Sequence, residues 1–503
     1  MTVSRGTRGK LVKSTSWLLA ARALERVIGL TSITILARLL TPADFGLVAI
    51  ANIVVAAIQV FTQFGFDWAL VRYREPTPRD LNTAWTLRAL LGLCVFGLLV
   101  IVSPFAAQYF NQAPLKAVLI VLGAGAFVAS LENIGTVYFR RDFAFDREFL
   151  IRAITKASQF VTTVALAVLT GSYWALVCGI VAFNLATTIS SYTFHPYRPR
   201  LSLGGARRLL GFSSWLLVGN LAGYFRQQFG KIYLGRVYGA ATTGLFSVAE
   251  QISMIPLEIA APINRVAYSK YSQDIHEGRQ LKSSYLAIAS LIWLVALPMS
   301  LGTVAVAPDV VALLLGHQWA DAVPVLQVLA IGMAINVLVA NTHYVYWALG
   351  QSRIPATLSM MSAFAVVPLS IAGSRLAGYV GVASAFALES ALVAPINFVL
   401  LWRIAGIHFR ELWSKVWRIG LGTAVMLAFL CITFQPLPHY TTSVAASRFV
   451  VEVVTGGAVY AAAVFAAWRM SGEPPGPERT VLDLLKARLP GRTKEPTVDE
   501  HEK

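Results

Sequence analysis

Charge is scarce in this 503-residue chain. Asp, Glu, Lys and Arg together make up 13% of it, about half the share that a water-soluble domain carries. That shortage excludes a large soluble fold. Cysteine is rarer still: Cys94, Cys178 and Cys431 stand far apart, each in an apolar stretch. They give neither a disulfide framework nor a metal-ligand spacing, and read as small packing groups. Acids are outnumbered, 25 against 42 basic residues, for a formal charge of +17. Near the start, no small-residue cleavage site follows a short apolar core, so the N-terminal stretch is expected to stay in the mature protein. No loop is long enough for a soluble domain.

Apolar residues make up 56% of the chain and the mean hydropathy is +0.63. They gather in blocks of the length that crosses about 30 Å of hydrocarbon. The blocks fall at 14–37, 44–71, 83–107, 115–138, 149–170, 173–194, 209–235, 241–264, 283–307, 322–348, 354–374, 379–402, 413–434 and 446–468. The expected fold is an all-α polytopic membrane protein of about fourteen transmembrane helices. Basic residues crowd alternate connections, such as Arg72–Arg79, Arg140–Arg147, Arg198–Arg208 and Arg265–Lys282. The other connections keep Arg38, Lys116, Arg236, Arg375 and Arg448. This positive-inside pattern predicts an even number of spans and cytoplasmic termini. The polar tail is close to neutral and expected to be disordered, so the net positive charge belongs to the membrane body. Attraction to anionic headgroups accounts for it, and nucleic-acid binding is not required.

Part of the chain repeats. Ser16-Trp17-Leu18-Leu19 returns as Ser214-Trp215-Leu216-Leu217, and in the same register Leu36, Arg38, Gly46, Leu47 and Ala51 meet Leu234, Arg236, Gly244, Leu245 and Ala249. Leu119, Val121, Leu122 and Gly125 recur as Leu326, Val328, Leu329 and Gly332. An even number of helices separates the copies, so the repeat is parallel. Two six-helix lobes are expected, at 1–208 and 209–410, followed by two helices at 411–469 and the tail at 470–503.

Charged residues interrupt the apolar blocks. Arg22, Glu25 and Arg26 share one face of the first helix, with the two arginines about 12 and 18 Å along it from Ser14. Each such charge costs about 2.5–3.5 kcal/mol at the centre of a lipid-facing helix, so the face must turn inward. Helix seven carries Arg226 and Lys231. Arg22, Arg26, Arg226 and Lys231 are therefore expected to line a cationic cavity suited to an anion, since the arginine fork binds phosphate bidentately. The competing reading is structural pairing: Arg22 and Arg26 with Glu25, and Arg226 with Glu250 or Glu258. Glu25, Asp67, Glu132, Glu250, Glu258 and Glu389 are candidate counter-ions or coupling sites for H+ or Na+; no other cofactor is implied. Arg88, Arg152 and Lys156 lie near the inner face, where snorkelling explains them. His343 alone among the histidines sits well inside a helix, and packing is the reading preferred over proton relay.

The stretch Leu36-Ala37-Arg38-Leu39-Leu40-Thr41-Pro42-Ala43-Asp44-Phe45-Gly46, followed by Gly65 and Ala69-Leu70-Val71-Arg72, resembles the N-terminal signature of Wzx-type polysaccharide flippases of the multidrug/oligosaccharidyl-lipid/polysaccharide superfamily. Phe139-Arg140-Arg141-Asp142-Phe143-Ala144-Phe145 resembles the family's inner loop after helix four. Gly244–Ala249, Pro256 and Arg265-Val266-Ala267 resemble the start of its second lobe. The resemblance implies alternating-access movement of a polyprenyl-diphosphate-linked oligosaccharide from the inner to the outer leaflet of the bacterial cytoplasmic membrane. Such a transporter, not an enzyme, would serve O-antigen, capsule or exopolysaccharide synthesis. Its implied partners are the lipid-linked substrate, membrane lipids, and the polymerase and glycosyltransferases of the same pathway. The family offers no invariant catalytic motif to carry over. A multidrug/cation antiporter of the same superfamily is the alternative; a membrane glycan polymerase is disfavoured by the sparse outer acids, and an acyltransferase by having only His343 as a deep histidine.

Overall fold

Thr41-Pro42-Ala43-Asp44 makes a sharp corner for a local reason. The Thr41 amide donates to Asp44 Oδ2 at 2.9 Å, and the Asp44 amide donates back to Thr41 Oγ1 at 3.3 Å. Pro42 takes the first helical position, where its missing N–H costs nothing. Thr77, Pro78 and Asp80 repeat the device at the next helix start. The computed structural model describes residues 24–60, 77–141, 145–204, 214–351, 353–434, 442–474 and 476–479.

No strand occurs among the described residues. In the first half, α1 spans 24–39, followed by α2 (Pro42–Val60), α3 (Pro78–Tyr109), α4 (Leu115–Ser130), α5 (Phe145–Thr170) and α6 (Trp174–Phe194). The second half holds α7 (Ser214–Val237), α8 (Gly239–Ser253), α9 (Ile255–His276), α10 (Leu281–Leu314), α11 (Ala322–Val339), α12 (Thr342–Ala348) and α13 (Arg353–Ala405). Two more, α14 (Phe409–Thr433) and α15 (Thr442–Met470), complete the bundle. Among the described residues, nine helices are long and apolar enough to cross a membrane. This is an all-α, multi-pass membrane protein.

Several apolar blocks depart from plain single helices. The block at 241–264 breaks at Met254, just before Pro256, whose ring cannot continue the preceding helix. The block at 322–348 breaks at 340–341, where the Thr342 hydroxyl takes the Val339 carbonyl at 2.7 Å and competes with the backbone ladder. The blocks at 354–374 and 379–402 are two arms of α13, turned at Ala377 and Gly378; Gly378 has φ 61°, a conformation open to glycine. Cys94 and Cys431 are exposed and Cys178 is half-buried, so the first two are not the packing groups their apolar setting suggests. At the start of the tail, Glu478 is held by Arg418 at 2.8 Å, each with 4% of its side chain exposed. The stretch 481–489, whose pattern fits a short amphipathic surface helix, lies outside the described residues.

The two halves meet on the face that carries the 40–41 corner. There α2 crosses α8, and Gly46 lies against Gly244: a Cβ on Gly46 would collide with the Ala240 carbonyl, and one on Gly244 with the Pro42 carbonyl. Only the smallest residues allow this approach. Ile33 and Ala37 of α1 join a buried cluster with Leu245, Ala249, Val310, Leu315 and Trp319. Trp319, fully buried, donates through Nε1 to the Ala37 carbonyl at 2.9 Å and stands edge-on to Phe45.

Candidate functional site

Each described cation of the expected cavity faces a carboxylate. Arg26 Nη1 meets Glu258 of α9 at 2.8 Å. Arg226 reaches Glu389 of α13 through two donors, at 3.3 and 3.2 Å, with its guanidinium 5.9 Å from the centre of the Phe386 ring. Lys231 meets Glu250 of α8 at 2.7 Å. Glu25 receives Arg152 of α5 at 3.0 Å, and Arg152 also holds Glu148 at 2.9 Å. Arg88 pairs with Glu132 at 2.7 Å. Arg22 and Asp67 lie outside the described residues.

Pairing is how buried charges survive in a low-dielectric interior, so the cavity is not bare positive charge. The partners differ from those the sequence suggests. Arg26 turns to Glu258 and not to Glu25, while Arg226 takes Glu389 and not Glu250 or Glu258. Arg152, expected to snorkel, is the partner of Glu25. Lys156 bonds Gln159 at 3.1 Å and lies 5.0 Å from the centre of the Phe183 ring. Sequence spacing placed Glu25 and Arg26 on one helical face. In the structure, Glu25 addresses the first half and Arg26 the second.

Exposure ranks the pairs. Lys231 and Glu250 show 12% and 16% of their side chains, a closed pair. Glu389 is buried at 1% beneath a half-buried Arg226. Arg26 and Glu258 show 31% and 55%, the most open of the three. Arg26 Nη2 is nonetheless buried without a hydrogen-bond partner. Thus one guanidinium, bridging the two halves, combines an accessible counter-ion with an unused donor. An anion with two oxygens could take both positions.

Two arginines that spacing marked only as repeats act at the corner face. Arg38, at the end of α1, donates to the Leu313 carbonyl at the end of α10, at 3.0 Å. Arg236, at the end of α7, donates to the Tyr109 carbonyl at the end of α3, at 2.7 Å. Each guanidinium caps a helix C-terminus in the other half, where the unpaired carbonyls and the helix dipole favour a cation. Gln318 Nε2 adds bonds to the Ala37 and Leu40 carbonyls. The signal for this reciprocal closure was the equal offset of the Arg38/Arg236 and Gly46/Gly244 pairs.

A family model described as "Polysaccharide biosynthesis protein" matches residues 35–324. The chain is 22% identical over 441 residues to the lipopolysaccharide biosynthesis protein WzxC of Escherichia coli (strain K12), covering 85% of this chain and 89% of that one. It is 26% identical over 337 residues to the succinoglycan biosynthesis transport protein ExoT of Rhizobium meliloti (strain 1021), covering 65% and 66%. Among solved structures, the lipid II flippase MurJ in an inward closed conformation superposes with a TM-score of 0.73 at 11% identity, over 90% of this chain and 98% of that one. The resemblance carried by residues 36–46 is borne out, and the likeness to MurJ shows a shared fold.

Proposed function

Because the chain belongs to the polysaccharide biosynthesis protein family, we propose that it is a transporter that flips a polyprenyl-diphosphate-linked oligosaccharide from the inner to the outer leaflet of the bacterial cytoplasmic membrane. The names of WzxC and ExoT support the glycan pathway and, for ExoT, transport. The positive-inside pattern supports cytoplasmic termini, which makes the corner at 40–41 extracytoplasmic. With that face closed by Gly46, Gly244, Arg38 and Arg236, the arrangement corresponds to access from the cytoplasmic side.

The carrying observation is the Arg26–Glu258 bridge. A diphosphate entering between lobes 1–208 and 209–410 displaces the exposed Glu258 and engages the free Nη2, giving a fork-on-phosphate contact. Glu258 then loses its cross-lobe partner, which removes one tie between the lobes. Rocking of the lobes closes the inner side and parts the α2–α8 contact. Helices at 411–469 flank the second lobe. The pathway's polymerase and glycosyltransferases are the expected neighbours.

The test is complementation of a strain lacking this gene, read as surface polysaccharide. Arg26→Ala should abolish export at normal protein level, while Arg26→Lys, which keeps charge without the fork, should restore part of it. Full export by Arg26→Ala would overturn the reading.

A further inference from the structure

Of the described acids first considered for ion coupling, four face one cation each: Glu132 with Arg88, Glu250 with Lys231, Glu258 with Arg26 and Glu389 with Arg226. Glu25 shares Arg152 with Glu148, but that guanidinium is 39% exposed. A carboxylate beside its own cation holds a proton poorly, because the positive charge favours the ionised form. Another cluster is unbalanced. On α15, Arg448 Nε bonds Glu452 one turn away at 3.0 Å and also reaches Asp309 Oδ2 of α10 at 3.3 Å. Asp309 and Glu452 show 2% and 3% of their side chains, and the two carboxyls lie within hydrogen-bond reach of each other. Glu452 Oε2 is buried with no hydrogen-bond partner.

Among the described residues, two buried carboxyls face one guanidinium, which leaves one negative charge in excess. A single proton removes it and turns one oxygen into a donor between the acids, the arrangement that adjacent carboxyls adopt elsewhere. A recess of about 570 Å³ between the ends of α14 and α15, lined by Thr433, Phe434, Ser447, Arg448 and three aliphatic side chains, reaches the cluster at Arg448. Helix α14 packs against both α10 and α15, but carries its charged residues Arg410, Glu411, Lys415 and Arg418 at the opposite end. The nearest cation of α1 is Arg38, which bonds α10 at Leu313, about one turn beyond Asp309.

We propose that Asp309 and Glu452 form a proton-binding site loaded from the extracytoplasmic phase, whose occupancy acts through the last turn of α10 on the Arg38 closure. The proton passes from water to the carboxyl pair and returns to water; no other bond changes. Proton binding stands on the cluster itself, while its link to transport rests on the function proposed above.

Two measurements separate these claims. In infrared difference spectra of the purified full-length protein between neutral and alkaline buffer, a protonated-carboxyl stretching band is expected. Glu452→Gln should remove the band and Glu258→Gln should leave it. Asp309→Asn serves if Glu452→Gln does not fold. A band unchanged in a folded variant overturns the site. In cells, export should lose its dependence on external pH in Glu452→Gln and keep it in Glu452→Asp. A band that disappears while the pH profile stays overturns coupling and leaves a structural staple. Normal surface polysaccharide in the strain lacking this gene would refute the transport reading without touching the infrared result.

Discussion

At the level of single residues, burial decides which substitutions report on function. Removing Arg226 strands Glu389, which is 1% exposed, and an uncompensated buried charge costs about 3–5 kcal/mol. Arg226→Ala should therefore lower protein level and melting temperature. Pairing it with Glu389→Gln should restore the level without restoring export, as checked by immunoblot and thermal shift. Arg26→Ala leaves a half-exposed Glu258 and should keep the wild-type melting temperature. A different carboxylate reports on pH. On the last turns of α9, a hydrogen bond from Lys270 at 2.7 Å, before any other cause, holds the Asp274 carboxyl below its ordinary range. A carboxyl lowered on folding stabilises the fold above its unfolded pKa and loses that contribution as pH falls through its folded pKa. Melting curves of the wild type and Asp274→Asn should therefore differ at neutral pH and converge in acid.

Helices form the next scale, and there the α2–α8 crossing makes the sharpest demand. Gly46→Leu or Gly244→Leu places side-chain atoms where the Ala240 and Pro42 carbonyls stand, so either should hold the corner face open. The expected result is faster labelling of a cysteine introduced at Ala240, from outside, by a membrane-impermeant maleimide. Labelling at the wild-type rate would mean that the crossing does not close this face. The helices themselves were legible because each span must satisfy its own backbone in lipid and be long enough to cross it. Pro256 carried a signal for the break at Met254 that the unbroken reading of 241–264 passed over. The break at 340–341 was hidden, because it depends on a Thr342 hydroxyl bonding backward, which many helical threonines do without harm. Ion-pair partners were hidden for another reason. Periodicity puts Arg226 on a face, yet it cannot say that this face meets a residue 163 positions away. The spacing of Arg448 and Glu452, one turn apart, could have marked them as a pair, although only Arg448 was named, as a charge of an outer connection; no spacing adds Asp309 as their third member.

For the whole molecule, the question is whether ties between the halves open during each cycle while contacts within a half persist. Arg38 to Leu313 and Arg236 to Tyr109 join helices from opposite halves. Tyr197 to Asn82, at 2.6 Å, joins two segments of the first. If the lobes rock as rigid bodies, a covalent link across the halves should stop transport, and one within a half should not. Cysteines replacing Arg38 and Leu313, in a chain with Cys94, Cys178 and Cys431 changed to Ala, offer the first link on treatment with a bismaleimide. Asn82→Cys with Tyr197→Cys offers the second. Export should fall to background only for the first pair, and only after treatment, since each guanidinium cap contributes just about 0.3–1 kcal/mol and its loss alone leaves the closure to Gly46, Gly244 and the Trp319 cluster. Equal loss in both linked variants would mean that the first half deforms internally, and the moving unit would then be smaller than the six helices that the repeat marks out.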